Sequence, residues 1–198
     1  MEDLEATRAR AFAEHYSAGV MTPIDMNAVP SSVMEQFENR SAYLVPADDY
    51  RPKNFVSYWA LMHENGERSY VAERNPKTYR SGSSEAEVER EAYVVGVTAS
   101  DDVVGWGEVR YNITNPDPYF KEKPFVGYTK TEHAFQRRGY GLRRLAVMNA
   151  VAHVFFGFPL HSDTVIQPEA ERRWERPVQD GRARKYKEGE HDRYGFIN

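Results

Sequence analysis

The segment from Phe125 to Phe156 constrains the fold of this chain more than any other. It opens with alternating residues typical of a β-strand, and a glycine-containing turn, Gln136 to Gly141, follows. Beyond the turn, mostly apolar or small side chains recur with the 3.6-residue period of a core-facing helix, at Leu142, Leu145, Ala146, Asn149, Ala152 and Phe156. The pattern predicts a strand, a tight turn and a helix from residue 142 that packs on a sheet.

The predicted turn has the composition of an anion-binding loop. Gly139 and Gly141 lack a Cβ, so the backbone can curl and direct several N–H groups into one concavity beside the positive end of the helix dipole. Four arginines crowd the same end, where each costs about 0.3 to 1 kcal/mol unless an anion is bound. They are Arg137, Arg138, Arg143 and Arg144. A polyphosphate group is the predicted ligand.

The spacing of the glycines argues against two common phosphate-binding loops. A P-loop requires Lys and then Ser or Thr after its second glycine, and Leu142 follows Gly141 here. A dinucleotide-binding loop requires a third glycine at position 144, which is Arg144. Hydrolysis of nucleoside triphosphates and binding of NAD are therefore disfavoured.

Gln136-x-x-Gly139-x-Gly141 after a strand resembles the pyrophosphate loop of the Gcn5-related N-acetyltransferase (GNAT) superfamily. Ala170-x-x-x-Trp174-Glu175 is similar to a signature in the last helix of that family, and the resemblance covers residues 92–198. It implies one α/β (α+β) domain over residues 1–198, with a mixed, mostly antiparallel twisted sheet flanked by helices. Residues 92–198 form the acyl-CoA-binding core, and residues 1–91 a divergent N-terminal half with helices and a hairpin.

The same resemblance implies the reaction and the cofactor. The chain is expected to transfer an acyl group, most simply acetyl, from acetyl-CoA or another acyl-CoA to a primary amine of a small molecule or a protein, without a metal. An open tunnel between the strands at 103–111 and 125–132 would favour the enzyme over a module without catalysis. The expected cofactor-binding residues are Thr131, Gln136, Arg137, Arg138, Gly139, Tyr140, Gly141 and Leu142.

One position departs from the family pattern. Many members have a tyrosine that protonates the departing thiolate, whereas this chain has Trp174, whose indole N–H cannot act as an acid at neutral pH. Three alternatives stay open: solvent supplies the proton, the domain is an inactive GNAT-like interaction or structural module, or a nearby side chain supplies it. The side chains considered are His161, Ser162, Tyr186 and Tyr194.

Candidate residues for the amine lie on the predicted strands. Glu132 or His133, at the end of the strand before the loop, is expected to remove the amine proton, and Glu108 is a weaker candidate. Asp163 and Glu108 are expected to bind the substrate. His161-Ser162-Asp163 cannot form a hydrolase triad among themselves, because adjacent strand residues point to opposite faces.

Charge is unevenly divided along the chain. Residues 1–119 carry a formal charge of −9 and residues 120–198 carry +5, so the basic half contains the predicted loop. Arginines near the last predicted helix, with Trp174 and Tyr186 between them, leave a nucleic-acid-modifying acyltransferase as a less favoured alternative. The charged N-terminus and the absence of long apolar runs predict a cytoplasmic protein with no membrane segment, and the lack of cysteine excludes disulfides.

The remaining elements are predicted from periodicity and turn residues. Asn65-Gly66 predicts a type I′ hairpin turn, and Gly19 is expected to end the first helix. Helices are predicted at 2–18, 32–40 and 169–179, with a turn-rich connector at 75–84 and one helical turn at 84–87. Strands are predicted at 55–63, 67–73, 92–99, 103–111, 125–131 and 159–163, and two short terminal segments at 183–188 and 192–197.

Overall fold

A computed structural model of the chain describes residues 3–42, 55–80, 86–112, 123–163 and 166–197. The helices are α1 Leu4–His15, α2 Ser31–Ala42, α3 Tyr140–Phe156 and α4 Pro168–Gln179. The strands are β1 Gly19–Ile24, β2 Phe55–His63, β3 Arg68–Arg74, β4 Lys77–Arg80, β5 Ala86–Val97, β6 Val103–Asn112, β7 Phe125–Thr131, β8 Ala183–Glu188 and β9 His191–Phe196. Short 3-10 helices cover Met26–Ala28 and His133–Phe135.

Seven of the described strands form one antiparallel sheet. Its order is β1-β2-β3-β5-β6-β7, and β4 pairs with the first half of β5. β8 and β9 form a separate antiparallel hairpin. The division at residues 91 and 92 falls inside β5, so strands of both halves of the chain belong to the same sheet.

Helices cover both faces of this sheet. On one face, α1 and α3 pack on residues such as Trp59, Val71 and Val94, which are at most 1% exposed. On the other face, Val33 and Phe37 of α2 pack on a second apolar cluster that includes Tyr93 and Trp106. The alternation of side chains along the strands supplies these two clusters, because successive residues point to opposite faces.

α3 is buried over a wider arc than its sequence period predicts. Leu145 and Ala152 are buried as expected, but Leu142 is only partly buried and the described core side also includes Arg144, Val147, Met148, Ala150, Val151 and Phe155. The reason is that α3 packs on the sheet with one side and against α1 with another, so two sides of the helix are covered. It begins at Tyr140, two residues earlier than predicted.

The N-terminal half contains most of the wrong predictions. The first helix ends at His15, and Gly19 begins strand β1 instead of ending the helix. The strands on either side of Asn65-Gly66 are confirmed, but the turn is not type I′, because only Gly66 has a positive φ, at +80°. Residues 77–80 form β4, and residues 86 and 87 belong to β5 rather than to a helical turn.

The later elements match the predictions closely, apart from the segment after α3. β6, β7, α4, β8 and β9 are all present near their predicted bounds. The segment at 159–163 makes isolated bridges only at His161, parallel to Phe125 of β7 and antiparallel to Gly195 of β9. Beyond the bond from Val126 N to His161 O, of 2.9 Å, this segment and β7 separate.

The architecture is α+β, a mostly antiparallel sheet flanked by helices, as predicted, and it is compatible with a GNAT-like fold. In the part of the chain that the structure describes, no helix combines the length and the apolar character needed to cross a membrane.

Candidate functional site

The predicted anion-binding loop lies at the solvent-exposed N-terminus of α3. Gly139 is the N-cap residue in the left-handed region, with φ +83°. Leu142 N donates to Gly139 O at 3.1 Å, whereas the amides of residues 139–141 have no acceptor among the described residues. Three amides at a helix N-terminus are therefore available to a ligand.

The loop borders a cavity of about 240 Å³. Six of the predicted cofactor-binding residues line it: Thr131, Gln136, Arg137, Gly139, Gly141 and Leu142. Arg138 does not line it and instead lies over the Phe135 ring at 5.9 Å. Tyr140 faces away, toward Arg143, which forms an ion pair with Glu67.

Two further arginines stand beside the loop without carboxylate partners among the described residues. Arg173 of α4 lines the loop cavity, and its Nε lies 3.5 Å from the position that a Cβ on Gly141 would take. Arg144 is 4% exposed and donates to the hydroxyls of Thr129 and Thr131 at 3.1 and 2.6 Å. Burial and the nearby Arg173 lower the pKa of Arg144 to about 10. Burial likewise lowers the pKa of Arg173. A bound anion would relieve the repulsion between Arg144 and Arg173.

A cleft of about 260 Å³ opens where β7 and the 159–163 segment separate. Its walls are largely apolar and come from β7, α3 and α4, and Arg173 lines this cleft as well as the loop cavity. The lining residues include Val126, Tyr128, Leu145, Ser162, Asp163, Ile166, Glu169, Arg173 and Trp174. The cleft lies on the outer side of β7 and not between the strands at 103–111 and 125–132, because every residue of β7 except Gly127 pairs with β6. The tunnel that would favour the enzyme is therefore not found between these two strands.

A β-bulge at Gly127 shapes the wall that β7 contributes. Glu108 pairs with Tyr128 and Val109 with Val126, so Gly127 is the extra residue. A bulge bends its strand and interrupts the ladder. The bend at Gly127 lies next to the point where β7 leaves the 159–163 segment.

Trp174 forms part of the cleft wall and belongs to the core. It is 3% exposed, and its ring packs on Tyr194 and Phe196 at centroid distances of 5.9 and 5.3 Å. Tyr194 donates from its hydroxyl to Glu171 Oε1 at 2.6 Å. Burial raises the pKa of Tyr194.

Only one of the alternative acids lines the cleft. The Ser162 hydroxyl donates to Asp163 O at 3.1 Å and accepts from Tyr194 N at 3.0 Å. His161 and Tyr186 hydrogen-bond to each other at 2.7 Å and do not line it. Burial, with nearby Arg193 and Lys123, lowers the pKa of His161 to about 4, so this imidazole is neutral at neutral pH.

The residues predicted to act on the amine are separated. Asp163 lines the cleft, whereas Glu132 and His133 do not. Glu132 lies at the far end of β7 in an ion pair of 3.1 Å with Lys130, and His133 is exposed. Glu108 is 3% exposed and lies on the α2 face, where it accepts from Arg110 Nε at 2.8 Å. Of the carboxylates predicted to act on the amine, Asp163 is thus the one that lines the cleft.

Sequence reasoning missed Arg173 and the buried position of Arg144. From the sequence, Arg173 is one of the arginines near the last predicted helix, although it is adjacent to Trp174 in the segment that resembles the GNAT signature. That adjacency was the available signal. The cations around it are partly compensated, since Arg176 and Arg182 both pair with Asp180.

Neither protein-family models nor curated protein sequences give a match for this chain.

Proposed function

We propose that this protein is a cytoplasmic GNAT-type N-acyltransferase that moves an acyl group, most simply acetyl, from coenzyme A to a primary amine. The observation that carries the proposal is the position of Arg173, which borders both the loop with free amides and the apolar cleft. The two cavities thus meet at one cation. An acyl-CoA has matching chemistry, because it joins a polyanionic end to a long, weakly polar arm that ends in a thioester.

In this proposal the loop amides of residues 139–141 and Arg173 hold the pyrophosphate, and the arm enters the cleft along the outer edge of β7. The amine binds at Asp163, gives a proton to that carboxylate or to solvent and attacks the thioester carbon, after which the carbon–sulfur bond breaks. The leaving thiolate takes up a proton from solvent. A thiol with a pKa near 8.5 is a fair leaving group, so acid catalysis contributes about 10²-fold at most here.

Calorimetry with coenzyme A tests the binding step. Arg173→Ala removes a charge-assisted contact worth about 1.5 to 3 kcal/mol, so we expect its affinity for coenzyme A to fall by about tenfold or more. Arg172→Ala is the matched control, because Arg172 is an exposed neighbour on the same helix and lines neither cavity. Equal affinities in the two variants would contradict the proposal.

A second candidate, a GNAT-like module that binds acyl-CoA without catalysis, is favoured by the burial of Trp174 where the family acid stands. Thiol release from acetyl-CoA against a panel of amines separates the two candidates. Turnover that falls in Asp163→Asn supports the enzyme, and binding without turnover for every amine supports the module. A gain of turnover in Trp174→Tyr would identify the missing acid as rate-limiting.

A further inference from the structure

A third, smaller cavity lies under the first turn of α3. Its volume is about 10 Å³, which is room for one water-sized species. Its walls come from β3, β5, β6 and α3. They are His63, Glu67, Arg68, Ser69, Gly96, Val97, Val104, Tyr140, Arg143 and Arg144.

Buried guanidinium nitrogens without hydrogen-bond partners mark this cavity. Arg144 Nη1 and Arg68 Nε are both buried and lack a partner among the described residues. The Arg144 Nη1 lies only 2.7 Å from the position that a Cβ on Gly105 would take, and Gly105 pairs with Gly96 of the cavity wall. A buried N–H without a partner carries a desolvation penalty of about 1 to 3 kcal/mol, and more on a charged group.

Three arginines line the cavity, and two of them form ion pairs. Arg144 is the one left without a carboxylate partner among the described residues. Arg68 forms an ion pair of 2.8 Å with Asp101, and Arg143 forms one with Glu67. Arg144 has only the hydroxyls of Thr129 and Thr131 as partners among the described residues. His63 is bonded to Tyr16 and Ser69 at 2.9 and 2.8 Å, and burial lowers its pKa to about 4, so it adds no charge at neutral pH.

We infer that this cavity binds one small monovalent anion, of the size and charge of chloride, between Arg144 and Arg68. The size of the cavity excludes phosphate and sulfate, and one negative charge balances the cation that the ion pairs leave over. The site is separate from the acyl-CoA loop, since no residue lines both cavities. Arg144 bonds the threonines of β7 through Nε and Nη2, and its Nη1 has no partner among the described residues. The inference therefore stands whether or not the protein binds acyl-CoA.

Bromide provides a direct test, because it replaces chloride and scatters anomalously. Crystals of the full chain grown in sodium bromide should show an anomalous peak in contact with Arg144 Nη1. Density without an anomalous signal at this position would identify a water molecule and overturn the inference.

Thermal unfolding gives an independent readout in solution. We expect the midpoint to rise by a few degrees in sodium chloride relative to sodium gluconate at equal ionic strength, because an anion that binds only the folded state stabilises it. Arg144→Met should abolish this difference between the two salts. Arg68→Met should reduce it and serves as the test if Arg144→Met does not fold. Arg172→Ala, which leaves the cavity intact, should keep it. A chloride response equal in all four proteins, or absent from the wild type, would overturn the inference.

Discussion

At the scale of single residues, the loop depends on two residues in the left-handed region. Gly139, with φ +83°, takes that conformation at little cost, and its position was predictable because glycine is the residue that favours it. Arg137 also has a positive φ, of 61°, which its sequence gives no reason to expect. A strained arginine beside a binding loop is set by the surrounding structure, so sequence reasoning could not find it.

Replacing Gly139 with valine should affect both stability and ligand binding. The left-handed conformation costs a residue with a Cβ about 1 to 2 kcal/mol. In the proposed binding mode, the valine side chain also enters the space of the pyrophosphate. We expect a comparable loss of unfolding free energy in Gly181→Val, because Gly181 has φ +71° and, like Gly139, open space around it. Urea unfolding should show similar losses for both variants, whereas calorimetry should show weakened coenzyme A binding only for Gly139→Val. Unchanged affinity in Gly139→Val would show that the loop does not bind the cofactor.

His63 makes the stability of the fold dependent on pH. Its ordinary pKa is 6.5, and burial with nearby Arg143 lowers it to about 4 in the folded protein, so folding favours the neutral ring. The stability that the neutral ring contributes is complete above pH 6.5 and is lost as the pH falls from 6.5 through 4. We expect the thermal midpoint of His63→Gln to fall less over this range than that of the wild type. His191→Gln, at an exposed position, should follow the wild type, and parallel curves for all three would contradict the assignment.

At the scale of elements, β6 packs closely against both β7 and α3 through its glycines. A Cβ on Gly105 would come within 2.2 Å of the backbone oxygen of Lys130 and 2.7 Å of Arg144 Nη1. A Cβ on Gly107 would instead meet the flexible end of Met148, at 2.5 Å. Backbone of a neighbouring strand cannot move aside as a methionine side chain can, so the two glycines tolerate substitution differently.

Gly105→Ala should therefore destabilise the protein much more than Gly107→Ala. We expect a loss of about 3 kcal/mol for Gly105→Ala, at the upper end for overpacking, and about 1 kcal/mol for Gly107→Ala. Chemical denaturation of the two variants measures the difference. Equal losses would mean that β6 and β7 separate more easily than their continuous pairing indicates.

Elements with strong local patterns were predictable, and elements made by pairing were not. α3, α4 and the β8–β9 hairpin follow directly from helical periodicity or from Gly189. β1 carries Pro23 and only one buried residue, Met21, so its existence depends on pairing with β2. Residues 159–163 form bridges only at His161, because β7 diverges from them beside the bulge at Gly127.

At the scale of the whole molecule, the loop cavity and the cleft should respond to one ligand. An acyl-CoA at about one hundred times its dissociation constant adds about 2.7 kcal/mol to the unfolding free energy. For a chain of this length that corresponds to a rise of about 5 °C or more in the thermal midpoint.

Raising the salt concentration should reduce this rise, because ions screen the loop arginines from the phosphates. Dephospho-coenzyme A and pantetheine, which keep progressively fewer phosphate groups, serve as controls. Pantetheine that stabilises the protein as strongly as acetyl-CoA would rule out the loop as a phosphate site.

The uneven charge distribution places the predicted loop in the basic half of the chain, but it does not predict which cations line the loop cavity. Arg138 lies in the motif and Arg143 follows it, yet Arg138 lies over the Phe135 ring and Arg143 pairs with Glu67. Arg173, which is distant in sequence, reaches the loop because α4 places it next to Gly141 at the start of α3. Such a contact depends on the placement of two helices and is visible only in the folded chain.

The strand order of the sheet also determines when the protein becomes competent to bind. On the path from β1 to β7 the strands follow one another in chain order except for β4, so the sheet can assemble by successive hairpins as the chain leaves the ribosome. Its apolar face, with Val71 and Val94, is covered only in part, by α1, until α3 is synthesised. The cleft needs residue 161 and α4 as well, so a nascent chain completes its scaffold first and its cleft last.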